Sequence, residues 1–195
     1  MILPIIAYGD PVLRKVGVDI DKDYPELDAL IENMRETMVN ASGVGLAAPQ
    51  IGKAIRLFII NATPFSEDED LEKEEREFLS KFNKVFINAK IIKEEGNDWV
   101  FNEGCLSIPD IREDVFRQEK VTIEYLDEKF EKHTDVIEGI AARIVQHEYD
   151  HIEGILFTDL ISTLKKRLIK KKLENISKGK VNPDYRMKFP LLKRK

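Results

Sequence analysis

Histidine, cysteine and tryptophan are scarce in this chain, with three, one and one among 195 residues. The single cysteine, Cys105, excludes an intrachain disulfide, and a lone cysteine is most often a small buried hydrophobe. No apolar run reaches the roughly twenty residues of a membrane span. The start, Met1 to Tyr8, has neither the basic opening nor the long apolar region of a signal peptide, so a cytoplasmic protein without a membrane partner is expected. Gly43-Val44-Gly45 is not a dinucleotide fingerprint, because no strand is predicted to lead into it and the third glycine is missing. There is no internal repeat and no linker. Residues 1–195 are therefore expected to form one domain, large enough for a substantial core.

What is present is charge, at 34% of residues against 43% hydrophobic, as in a soluble globular protein. The net charge of −5 is unevenly spread. Residues 165–195 hold 13 Lys or Arg against Glu174 and Asp184, which is +11 and leaves −16 for residues 1–164. Such asymmetry can mark a surface for an anionic partner, although from charge alone a solvated helix and tail is the better reading. No specific DNA partner is expected.

Periodicity organises the rest. Residues 1–20 read as irregular. Asp23-Tyr24-Pro25 opens a helix whose face is Leu27, Leu30, Ile31, Met34 and Met38, ending at Asn40 to Gly43. Gly43 to Gln50 reads as a tight loop that permits close approach to its backbone. Arg56 to Ile60 and Val85 to Ile92 read as strands, and the acidic stretch 64–81 as a solvated loop with a short helix. Gly96-Asn97 is expected to turn the chain. Val121, Ile123 and Tyr125 alternate with polar residues, as Phe130 to Val136 do less cleanly, which predicts a hairpin turning near Asp127-Glu128. His133 falls in its second strand as an ordinary surface residue. A helix over Glu138 to Ile152 follows. A last helix, capped by Thr158 or Asp159, has Leu160, Ile161, Leu164, Leu168 and Leu173 as its apolar stripe. An extended tail follows Gly179.

The stretch that carries chemistry is Gln146-His147-Glu148-Tyr149-Asp150-His151. Histidines four apart share one helical face, so His147 and His151 can reach one ion, with Glu148 beside it to handle protons for a bound water. A catalytic site of this kind needs a third protein ligand. A metzincin-like histidine is excluded because Phe157 stands at its position. Glu174 lies at a thermolysin-like distance but among lysines on a face that reads as solvated. Cys105 offers a thiolate, a good ligand for a borderline-soft ion, with Gly104 giving access.

Gly43-Val-Gly-Leu-Ala-Ala-Pro-Gln50, Glu103-Gly-Cys-Leu-Ser107 and Gln146-His-Glu-Tyr-Asp-His151 resemble, in order, the three signature motifs of the peptide deformylases. The resemblance extends over nearly the whole chain. Two departures are an isoleucine at position 152, where many members have leucine, and an acidic segment that reads as longer than in compact members. The lack of a transit-like start favours the bacterial type. The resemblance implies an α+β fold, a single compact domain with antiparallel or mixed sheets around a central motif helix, plus an N-terminal and a C-terminal helix. It also implies removal of the formyl group from the N-terminal formyl-methionine of nascent polypeptides. Cys105, His147 and His151 would hold one divalent ion, Fe(II) in the native state, with zinc, nickel or cobalt able to replace it. Glu148 would shuttle the proton, while the Gln50 amide and the Leu106 N–H would donate to the oxyanion. Val44, Gly45 and Gly104 would pair with the substrate backbone. Ile144, nearly one helical turn before His147, reads either as a wall of the methionine pocket or as plain core. The basic C-terminal segment suggests docking on the ribosome. Two further readings are a thermolysin-like metallopeptidase and a non-catalytic metal-binding protein.

Overall fold

A computed structural model describes residues 1–192. The chain begins with a two-residue strand, β1 (Ile5–Ile6), and a 3-10 turn at Pro11–Arg14. Residues 1–20 are thus less irregular than their prolines and glycines suggest. Helix α1 (Leu27–Asn40) starts two residues beyond Pro25, because Glu26 takes a left-handed conformation, φ 54°, and resets the chain before the helix. Its buried face includes Leu27, Leu30, Ile31, Met34 and Met38, as the spacing predicts.

Strands β2 (Gly45–Ala47) and β3 (Leu57–Asn61) come next, then α2 (Lys73–Leu79), β4 (Asn83–Cys105), β5 (Ile108–Leu126) and β6 (Lys132–Glu138). The five strands form one antiparallel sheet in the order β2-β3-β4-β5-β6. Alternation sorts the residues of β3 to opposite faces. Phe58 and Ile60 pack with Ala141, Ala142 and Val145 of α3 (Gly139–Ile152), while Leu57 and Ile59 pack with Ile31, Met34 and Met38 of α1. The sheet is therefore the middle layer, and the motif helix lies against one face of it. The hairpin of β5 and β6 pairs Val121 with Ile137 and Ile123 with Asp135 around the expected turn. His133 sits on β6 with its Nε2 2.8 Å from an Asp127 carboxylate oxygen, partly exposed.

Gly96-Asn97 does not turn the chain. The ladder between β4 and β5 slips between Glu95 and Asp98, and Gly96 at φ 92° absorbs the extra residue as a bulge, so β4 continues to Cys105. Gly43 to Gln50 also departs from a plain loop, since Gly45–Ala47 pairs with β3 as the sheet's edge strand before a 3-10 turn at Ala48–Ile51.

The C-terminal region differs more. A short helix, α4 (Phe157–Leu160), precedes α5 (Thr163–Ser177), and the Ser162 hydroxyl accepts the Lys165 N–H to cap α5. Asp159 serves α4 instead, accepting the Leu156 N–H at 2.8 Å. The face of α5 that packs is Ile169, Leu173 and Ile176, against Ile108, Val115 and Phe157. Leu164 and Leu168 are 67% and 70% exposed, and Leu160 is also on the surface. Two apolar stripes fit the same helical period, and only the tertiary partners choose between them. The tail forms β7 (Met187–Lys188), paired in parallel with β1. Among the described residues, no helix is long and apolar enough to cross a membrane.

Candidate metal centre and active site

Two elements bring the donors together. β4 ends at Cys105, where the chain reverses through Leu106 and Ser107 into β5. Helix α3 supplies His147 and His151 from one face. The Cys105 Sγ lies 3.3 Å from the His151 Nε2, and one ligand atom from each of Cys105, His147 and His151 falls within 4.8 Å of the other two. Glu174 is on α5, paired with Lys171 and Lys178, and is not among the three. One thiolate and two imidazoles suit a borderline-soft divalent ion. The residues fit such an ion, and the surrounding hydrogen bonds support the fit.

Glu103 organises those bonds. Its buried carboxylate takes the His147 Nδ1 at 2.9 Å, the Arg117 Nε at 2.7 Å and an Arg143 guanidinium nitrogen at 2.9 Å. Holding Nδ1 leaves Nε2 of His147 free as the donor, the arrangement by which outer partners orient metal-binding imidazoles. Burial opposes ionisation of Glu103, but the bonds from His147 and Arg117 outweigh it and hold the carboxyl far below its usual range. Arg117 also reaches Asp150 at 2.8 Å. Burial holds His151 well below its ordinary pKa, whereas His147, which lines the cleft, is raised despite its burial by its bonds to Cys105 and Glu103.

Glu148 is 4% exposed, and its Oε2 has no hydrogen-bond partner among the described residues. Burial, more than any charge, lifts its pKa to about 7. Gly45 lies directly against it: a side-chain carbon there would come within 2.3 Å of the Glu148 Oε1. Glycine is thus required at this point by close approach. The Gln50 side chain accepts the Ala47 N–H at 2.8 Å, which turns its amide nitrogen toward Cys105 Sγ at 3.5 Å and Ser107 Oγ at 3.4 Å.

A cleft of about 700 Å³ opens over these groups. Val44, Gly45, Gln50, Gly104, Leu106 and Ile144 all line it, together with Cys105, His147 and Glu148. Every expected site residue but His151, which is buried beneath, therefore borders the same space. Ile144 answers to both of its readings, as it lines the cleft and packs in the core around α3. β2 is the terminal strand of the sheet, with β3 on one side and the cleft along Gly43 to Gly45.

The Polypeptide deformylase family model matches residues 2–167. The chain belongs to this family. It is 64% identical over 194 residues to a peptide deformylase of Christiangramia forsetii, covering 100% of this chain and 99% of that one. Identity to a peptide deformylase of Flavobacterium johnsoniae is also 64%, with the same coverage. A crystal structure of a peptide deformylase from Legionella pneumophila superposes with a TM-score of 0.78 at 36% identity, covering 92% of this chain and 98% of that chain. Membership makes this a metal-dependent hydrolase of the bacterial peptide deformylase type. It removes the formyl group from nascent polypeptides.

Sequence patterns missed part of the deformylase site. Glu103 stood inside a motif without a role, and its partners Arg117 and Arg143 lie 14 and 40 residues further on, too far for any local pattern to join. Phe101 and Phe65 also line the cleft. Phe65 comes from the acidic stretch, where its neighbours mark it as surface.

Proposed function

We propose that Cys105, His147 and His151 hold the ion, that Fe(II) is the native one, and that zinc, nickel or cobalt can replace it. The observation that carries this reading is the convergence of those three donors beside the unpartnered carboxylate of Glu148. When bound there, the ion lowers the pKa of a water and polarises the formyl oxygen. Glu148 takes the proton and later returns it to the leaving amine, so that formate and a free N-terminus result. The Gln50 amide and the Leu106 N–H donate to the oxygen on which negative charge develops. The free edge of β2 at Val44 and Gly45, with the Gly104 backbone, pairs with the peptide as an added strand, which accepts many sequences beyond methionine. Ile144 lines the methionine pocket. The whole chain, residues 1–195, works as one catalytic domain, and a cytoplasmic location fits a substrate that is still emerging from the ribosome.

Formate release from formyl-Met-Ala-Ser by Fe(II)- or Ni(II)-loaded protein tests the reading. Folded, loaded protein that releases none would overturn it. Cys105→Ser is expected to lose most of its bound metal and its activity together. A thermolysin-like site would keep both, and a purely metal-binding protein would bind the ion in the wild type without turnover. Ile144→Trp fills the pocket and should raise KM for formyl-methionyl peptides at least tenfold. An unchanged KM would remove Ile144 from it.

The basic α5 and tail dock on the ribosome in this reading, and the exposed Leu164 and Leu168 amid exposed lysines support it. Reversing Lys170, Lys171 and Lys172 to Glu, which leaves the buried face of α5 intact, should abolish co-sedimentation with ribosomes at low salt. Retained co-sedimentation would count against docking.

A further inference from the structure

The family model ends at residue 167, and the chain beyond it has no part in the catalytic machinery assigned above. Yet the tail returns to the cleft. Its course is set by β7, where Ile5 N–H donates to the Arg186 carbonyl at 2.8 Å and Ala7 N–H to the Lys188 carbonyl at 2.9 Å. Met187 and Phe189 pack on the cluster that contains Ile108 and Phe157. So fastened, the four residues Asn182 to Tyr185 border the same cleft as Cys105 and Glu148.

Tyr185 reaches furthest. Its hydroxyl donates to the Leu106 carbonyl at 2.8 Å. The next carbonyl, that of Ser107, takes the Tyr8 N–H at 2.9 Å. The reversal between β4 and β5 is therefore held at both of its carbonyls by groups from outside the hairpin, one near each chain end. This is the turn that follows Cys105 and presents the Leu106 N–H. Fixing the Leu106 carbonyl fixes the peptide plane that it shares with the Ser107 N–H, and so narrows the φ and ψ of Leu106 that join this plane to the one carrying the Leu106 N–H. Small misplacements of such donors are costly to catalysis.

We propose that Tyr185 is a positioning residue for deformylation and that the C-terminal segment Asn182–Tyr185 is a working wall of the active-site cleft. The kinetic part rests on the function proposed above. The contact itself does not.

Tyr185→Phe keeps the ring and removes only the hydroxyl, and metal-loaded protein is assayed with formyl-Met-Ala-Ser. One hydrogen bond lost at a catalytic turn predicts a fall in kcat of about three- to tenfold, with KM within twofold and the melting temperature lowered by no more than about 4 °C. Amide hydrogen exchange across residues 105–108 should quicken in the same variant. Pro183→Gly, which loosens the segment without touching the hydroxyl, should move both readouts in the same direction by less, and it decides the matter if Tyr185→Phe fails to fold. A kcat per loaded molecule equal to wild type overturns the proposal, even if exchange quickens, because the tyrosine is then only structural. A lower kcat with unchanged exchange overturns it too, since the effect would not pass through the turn. If wild-type protein releases no formate, the function reading fails instead, and quickened exchange still upholds the tail contact while unchanged exchange removes it.

Discussion

Glu148→Ala is expected to keep its metal and lose about 10²- to 10⁴-fold in kcat. The carboxylate is not among the three donors, so its removal leaves the ligand set whole. In the proposed function its work is to hold a proton, and the surroundings suit it to that work. Burial disfavours the charged form and lifts the pKa to about 7, while the Gly45 backbone closes over one oxygen and leaves the other unpartnered. A group poised near neutrality can act first as base and then as acid. A cation held at the candidate site would work against burial, so the acid limb of the wild-type kcat/KM profile should lie below pH 7, with activity falling as pH drops. The variant's residual activity should lack that limb. Since a buried carboxylate with a raised pKa costs stability when ionised, the melting temperature should not fall. Metal analysis and formate release measure both halves, and near-normal kcat in the variant would end the proton-shuttle role.

Glu103→Gln should do the opposite, damaging stability as well as chemistry. The amide keeps the shape of the carboxylate but replaces one accepting oxygen with a donor. Arg143 would then lie buried without its counter-charge while Arg117 would keep only Asp150, and breaking such a buried pair costs about 3–5 kcal/mol. His147 would lose the acceptor that orients its ring, and metal affinity should drop about 10- to 100-fold. The sign of the pH effect follows from the depressed carboxyl. Its contribution is whole above the ordinary value of 4.5 and is lost as pH falls below it. Wild-type stability should therefore decline more steeply than the variant's below about pH 4.5. Thermal unfolding from pH 3 to 7 checks this. Equal stability of the two at neutral pH would show that Glu103 is not the centre of the network.

The two residues differ in how far each could be read from the chain. Glu148 was legible because its spacing from His147 and His151 is local, and a helix turns local spacing into geometry. So was the buried face of α1. Glu103 was not legible, because its role depends on Arg117, Arg143 and His147 meeting across β4, β5 and α3. The long β4–β5 ladder was hidden for a related reason. A Gly-Asn pair signals a positive φ, and a bulge needs that at Gly96 as much as a turn does; only the partner strand tells them apart. On α5, Leu164 and Leu168 share helical spacing with Ile169, Leu173 and Ile176, and packing against Phe157 and Ile108 decides which face turns inward.

The proposed donors of the candidate metal centre come from two places in the chain, Cys105 lying 46 residues from His151. An ion held by both is a removable cross-link between the hairpin and the helix. Such an ion would bind the folded chain and not the unfolded one, so it would stabilise the fold by its own binding free energy. The link depends on one sulfur. Oxidation of Cys105 would remove one proposed ligand and that stabilisation in a single event, so loss of activity and loss of stability would share one cause.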